Sequence, residues 1–120
     1  MRFTVRRHHG ATVVGVFGQL DTANTAYLSE VLIPFLRVRG GLVIDLEALQ
    51  YCSVTGLEFF ISFDRRCRKA RCPWALVPGA SLHGLLRLSG GILPVAESLD
   101  EAAHLLDAAG SRRPTLRIAT

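Results

Sequence analysis

LVIDLEALQYCSVTGLEFFISFDRRCRKA, residues 42–70, decides the class of fold. Its first five residues, 42–46, form an apolar run broken by a single acid, the pattern of a central strand covered on its faces. Residues 47–51 read as a polar turn. From about Ser53 the period changes, with Gly56, Phe59, Phe60, Phe63, Cys67 and Ala70 recurring at intervals of three and four. That spacing lays one apolar stripe along a helix ending near Ala70. A short buried strand followed by a long amphipathic helix is one unit of an α/β layer structure.

The flanks repeat the unit. Upstream, residues 12–17 (TVVGVF) are β-branched and apolar between Gly10 and Gly18, a buried strand preceded by an edge strand around Phe3 and Val5. Asp21 is placed to cap a helix whose apolar face holds Ala23, Ala26, Leu28, Val31, Leu32 and Phe35. Pro34 should kink or shorten its last turn, and Gly40-Gly41 ends it. Downstream, residues 74–77 form another short strand, and Ser81 caps a short helix carrying Leu82, Leu85, Leu86 and Leu88. Residues 92–96 resemble a final strand. Ser98, with Glu101 three residues on, makes a capping box for a last helix. The expected architecture is a single α/β domain over residues 1–109, with a small mixed, mostly parallel sheet of about five strands and about four helices. Residues 110–120 read as a flexible C-terminal tail.

Composition narrows the function. The chain of 120 residues is 49% apolar and 20% charged, enough for a packed core under a soluble surface. No run approaches the roughly 20 apolar residues of a membrane span, and the N-terminus lacks an apolar signal core, so a cytoplasmic protein without membrane insertion is expected. Cys52, Cys67 and Cys72 are read as small buried hydrophobes in a reducing compartment. No metal site is expected, because a Cys67/Cys72 pair lacks two further ligands and His8, His9, His83 and His104 are scattered in sequence. The net charge is +4, and Lys69 is the one basic residue that is not arginine. The cluster Arg65, Arg66, Arg68, Lys69 and Arg71 falls at a helix C-terminus, where cations complement the dipole. Without interleaved aromatics or a binding motif, it does not argue for nucleic acid.

Catalytic patterns are missing. No phosphate-binding glycine loop and no nucleophile elbow occurs, and acids near the strand ends are limited to Asp21, Asp45, Glu47 and Glu58. A Cys52 nucleophile would have no positioned base. The expectation is a binding protein with no cofactor, not an enzyme. What stands out is a hydroxyl at a helix start directly before a glycine, Thr55-Gly56, and Thr55 with Glu58 fits a capping box.

In ordered segments from Gly18 to Leu106, the chain resembles a STAS domain of the bacterial anti-sigma factor antagonist type. Gly18-Gln19-Leu20-Asp21 is similar to the family's G-E-L-D entry to its first helix. Leu49-Gln50-Tyr51 is similar to its hydrophobic approach, and Ser53-Val54-Thr55-Gly56-Leu57 occupies the place of its D-S-[ST]-G-L motif. SLHGLLRLSG, residues 81–90, is similar to its later helix. Ser53 replaces the motif's acid and Val54 its first serine. The resemblance implies an antagonist that binds an anti-sigma factor, a serine/threonine-kinase-like protein, and so releases a sigma factor. It implies phosphorylation at Thr55, with Ser53 as a lesser candidate, and a partner-binding surface of Asp21, Ser53, Val54, Thr55, Gly56, Leu57, Glu58 and Ile61. Leu57 and Ile61 either flank a neighbouring helix or form an apolar patch beside Thr55. Glu58 sets a negative charge three residues from any phosphate on Thr55. Alternatives are a non-switching STAS scaffold, or an accessory module of a lipid-transport ATPase, and a small enzyme or nucleotide-binding domain. Exposed strand edges would allow a weak homodimer.

Overall fold

A computed structural model describes residues 1–111, with side chains to residue 108. The chain opens with a hairpin, β1 (Arg2–His8) and β2 (Ala11–Leu20), paired antiparallel. Its two-residue turn has both central residues in the left-handed region, His9 at φ 48° and Gly10 at φ 84°. That geometry matches the twist of the flanking strands. After β2 come α1 (Thr25–Leu32) and a 3-10 segment (Ile33–Arg37), then β3 (Leu42–Asp45), β4 (Leu49–Cys52) and α2 (Val54–Ala70). The chain continues with β5 (Trp74–Val77), the one-turn α3 (Ala80–His83), a second 3-10 segment (Leu86–Ser89) and α4 (Leu99–Ser111).

The sheet runs β1-β2-β3-β5, with β4 beside the far half of β2. All pairs except β1·β2 are parallel. Strand β2 has ten residues and serves two partners in succession: Thr12–Gly15 pairs with β3 and Gly18–Leu20 with β4, across a bulge at Gly18/Gln19. The expected five-strand mixed sheet is therefore present. Two details differ. Residues 49–52, the first three of them expected to lie in a turn, form β4; its two outer residues are buried and its two middle ones exposed, so four residues carry no legible alternation. The expected final strand at 92–96 shrinks to a single parallel bridge, Leu76 with Val95, because Pro94 has no N–H to extend a ladder.

Successive residues of a strand face opposite sides of the sheet, and each side has its own core. One side joins Val14, Leu42, Ile44, Leu76 and Trp74 to Leu28 and Leu32 of α1 and to Leu57, Phe60 and Phe63 of α2. The other joins Val13, Val43, Ala75 and Val77 to Ala102 and Leu106 of α4. Each fully buried phenylalanine or leucine contributes about 1.5–3 kcal/mol, so the first side holds most of the apolar stabilisation.

Helix starts differ from expectation. Asp21 does not cap α1. Its Oδ1 accepts from the Ala23 N–H at 3.0 Å in a turn, and Asn24 holds the N-cap position, donating from Nδ2 to the Gln19 carbonyl at 2.7 Å. Ala23 and Ala26 are consequently exposed, and only Leu28 and Leu32 of α1 are buried. Pro34 lies in the 3-10 segment that ends α1, as its missing N–H requires. Gly79, not Ser81, precedes α3. Ser98 does cap α4, its Oγ accepting from the Glu101 N–H at 3.0 Å. Helix α4 is described to Ser111, and the rest of the expected tail lies outside the described residues.

Candidate functional site

The carboxyl ends of β2 and β4 meet at the start of α2. The Ser53 N–H donates to the Leu20 carbonyl at 2.9 Å, which seats the first turn of α2 against the Asp21 turn. The N-cap is Ser53, not Thr55: its Oγ accepts from the Gly56 N–H at 3.1 Å. The expected Thr55–Glu58 capping box is therefore not what closes this end. Thr55 is displaced two positions into the helix, where its side chain is free for another contact. The Thr22 hydroxyl donates to Thr55 Oγ1 at 3.0 Å, joining the Asp21 turn to the helix.

Gly56 explains itself by crowding. A Cβ there would stand 2.8 Å from Cys52 Sγ and 2.9 Å from Leu20 Cγ. Any larger residue would push α2 away from β2 and β4, and with it the Thr22–Thr55 contact.

The expected surface residues divide. Asp21, Ser53, Thr55 and Ile61 are partly exposed, and Val54 and Glu58 are exposed. Leu57 is buried at 2% exposure and belongs to the core, so it adds nothing to an accessible surface. Helical geometry is the reason: with Phe60 and Phe63 inward, Leu57 lies on their face at intervals of three and six. Sequence reasoning passed over Tyr51, which is 51% exposed and follows Gln50 at the end of β4. The half-exposed Val54 supplies apolar character next to Thr55 that Leu57 does not, and Tyr51 adds an exposed ring at the end of β4.

No acid lies in the first turn of α2, so its unpaired amide groups keep their positive end. The C-terminal end is compensated by Arg68 and Lys69, and Arg71 caps it in the left-handed region at φ 56°. Asp64, unremarked in the sequence, is buried on this helix; it accepts from Trp74 Nε1 at 2.9 Å and pairs with Arg68 Nε at 3.0 Å. A buried carboxylate with two donors is a structural group, tying α2 to β5.

All three cysteines are buried and free of disulfides, as expected. Burial pushes the Cys52 thiol up to about 11. The Cys67 thiol is raised by its hydrogen bond with Cys72 and then by burial. Neither is poised as a nucleophile at neutral pH. The histidines are less scattered than the sequence suggests, since His8 and His9 converge on Asp100. No helix among the described residues is long and apolar enough to cross a membrane.

Comparison with known proteins agrees with this geometry. Residues 2–102 match the STAS domain family. The chain belongs to that family. This STAS domain is 35% identical over 113 residues to osmosensory protein A of Mycobacterium tuberculosis, covering 88% of the chain and 72% of that protein. The fold is shared with an anti-sigma factor antagonist from Mycobacterium paratuberculosis at a TM-score of 0.73 and 24% identity, covering 89% of this chain and 92% of that one. It is shared also with the antagonist SpoIIAA in its unphosphorylated form, at a TM-score of 0.67 and 14% identity over 93% and 99% of the two chains.

Proposed function

We propose that this STAS domain is a cytoplasmic, non-enzymatic anti-sigma factor antagonist. It binds a serine/threonine-kinase-like anti-sigma factor and thereby releases a sigma factor for transcription. Phosphorylation of Thr55 ends the binding. The observation that supports this reading is the position of Thr55: partly exposed on the first turn of a helix without acids there, next to exposed Val54.

A kinase partner would transfer the γ-phosphoryl group of ATP to Thr55 Oγ1, releasing ADP and the hydroxyl proton. The Thr22 hydroxyl, already hydrogen-bonded to that oxygen, would become a donor to the phosphate. A phosphate adds about −1.5 to −2 charges, which the open amide end of α2 tolerates and an acidic or apolar partner surface rejects. Ser53 in the place of the motif's acid is compatible with the fold, since serine and aspartate are equally good N-caps.

The test is binding to kinase-like anti-sigma factors from the same cell, with mass spectrometry of the peptide holding Ser53 and Thr55. Thr55→Ala should bind like the native chain, and Thr55→Glu should bind at least about tenfold more weakly. Equal binding by the two variants would exclude the switch. One observation favours a second reading, a non-switching STAS scaffold: Glu58 lies exposed one turn from Thr55 and repels a phosphate there. Recovery of the chain from its cell in a transporter complex, unphosphorylated, would decide for it.

A further inference from the structure

We propose that His8, His9 and Asp100 form a surface site for a divalent transition-metal ion of the zinc class. His8 Nε2 lies 2.7 Å and His9 Nε2 3.8 Å from the same oxygen, Asp100 Oδ1. All three ligand atoms fall within 4.8 Å of one another. Around a four-coordinate zinc, with bonds of about 2.0–2.1 Å, neighbouring ligand atoms stand about 3.3 Å apart. The observed separations lie on both sides of that value, so small side-chain rotations centre an ion among the three.

The convergence has a backbone cause. Consecutive residues of a strand point to opposite faces and could not share a ligand. His9 instead occupies the left-handed region at φ 48°, at the first corner of the β1–β2 turn. That corner breaks the alternation and swings its ring beside that of His8, with centroids 4.5 Å apart. Arg7 holds the turn, donating to the Gly10 carbonyl at 2.9 Å and to Thr12 Oγ1 at 3.1 Å. Asp100 arrives from the first turn of α4. The cleft beside it is lined by His9, Asp100, Ala103, His104 and Asp107.

The donor set selects the ion. Two imidazoles and one carboxylate suit zinc, nickel or copper, whereas calcium and magnesium require oxygen ligands. An ion here joins the hairpin to α4 across 92 residues of sequence. Cross-linking so long a loop constrains the unfolded chain more than the folded one. The site lies at the opposite end of β2 from Thr55, roughly 30 Å away at about 3.3 Å per residue, and is independent of the partner reading.

The experiment uses the full chain without an affinity tag. Zinc chloride is titrated by calorimetry, and thermal melting is followed with and without the ion. Saturable 1:1 binding is expected, with a higher Tm that chelator reverses, and calcium chloride should do neither. His8→Gln, His9→Gln and Asp100→Asn should each weaken zinc binding about tenfold or more. His83→Gln, in an exposed position on α3, should leave it unchanged. Each variant's melting without zinc checks that it folds, and His9→Gln lies in an exposed turn where folding is least at risk. Absence of saturable zinc binding would overturn the proposal. So would undiminished binding by a variant that carries all three substitutions.

Discussion

Helices α2 and α4 begin with the same device and then part ways. Ser53 Oγ accepts from the Gly56 N–H at 3.1 Å and Ser98 Oγ from the Glu101 N–H at 3.0 Å. Helix α4 continues with Asp100 and Glu101 in its first turn, and the Glu101 carboxylate reaches back to the Glu97 N–H at 3.1 Å. Helix α2 continues with Val54, Thr55 and Gly56, without an acid. A helix N-terminus carries about half a positive charge. In α4 its own carboxylates neutralise that charge; in α2 it is left facing outward beside exposed Val54. One start is built for stability and the other leaves room for something from outside.

Gly56→Ala tests the contrast most severely. The added methyl meets Cys52 and Leu20 in a packed layer, and a loss of about 1–3 kcal/mol in urea unfolding is expected. A fully stable variant would show that the close approach of α2 to β2 and β4 is not required. Removing the caps should have a middling effect. Ser53→Ala should cost about 1 kcal/mol and Ser98→Ala somewhat less, because Asp100 and Glu101 still offset the positive end of α4. Equal losses would mean that the two starts are energetically alike.

Charge changes should act with opposite signs. Glu101→Gln should destabilise the domain by about 0.3–1 kcal/mol, while Thr55→Glu should add stability near the lower end of that range, since Glu58 opposes the new charge and the new carboxylate still offers an acceptor to the Thr22 hydroxyl. A Thr55→Glu chain that is less stable than the native one would contradict the picture of an open amide end. It would also change the meaning of weakened partner binding. A similarly small effect belongs to Thr22→Val, which deletes one partly solvated hydroxyl contact and should cost about 0.5 kcal/mol by the same unfolding measurement.

Much of this molecule could be read along the chain. The run at 42–46, the β-branched segment at 12–17 and the stripe of Phe60, Phe63 and Cys67 are periodic over enough residues to betray strand or helix, and they appear as β3, β2 and α2. Pro34 and the Ser98–Glu101 pair act through bonds to near neighbours, so their local effects were equally plain. Less was legible where four residues had to form an element. Strand β4 exists because β2 extends past β3 and offers a second stretch of backbone to pair with, which nothing within residues 49–52 announces.

The candidate site shows the same division. That a hydroxyl followed by glycine sits at the head of a long helix is a property of the sequence. Which hydroxyl caps the helix, and which is left for other contacts, was decided by how α2 seats against Leu20 and Cys52. Leu57 went to the core, and Tyr51 and Val54 to the surface, for that reason.

Local order came from the amino-acid sequence alone: the α/β alternation, the long amphipathic helix, the hydroxyl-glycine head and the absence of catalytic patterns. These depend on backbone preference and on apolar spacing within a few turns, which a chain carries wherever it goes. Tertiary structure decided every meeting of distant residues. Thr22 finds Thr55, Trp74 finds Asp64, and two consecutive histidines find Asp100 far along the chain. Such pairings follow from the order of strands in the sheet and from one left-handed turn, geometry that exists only once the layers have packed.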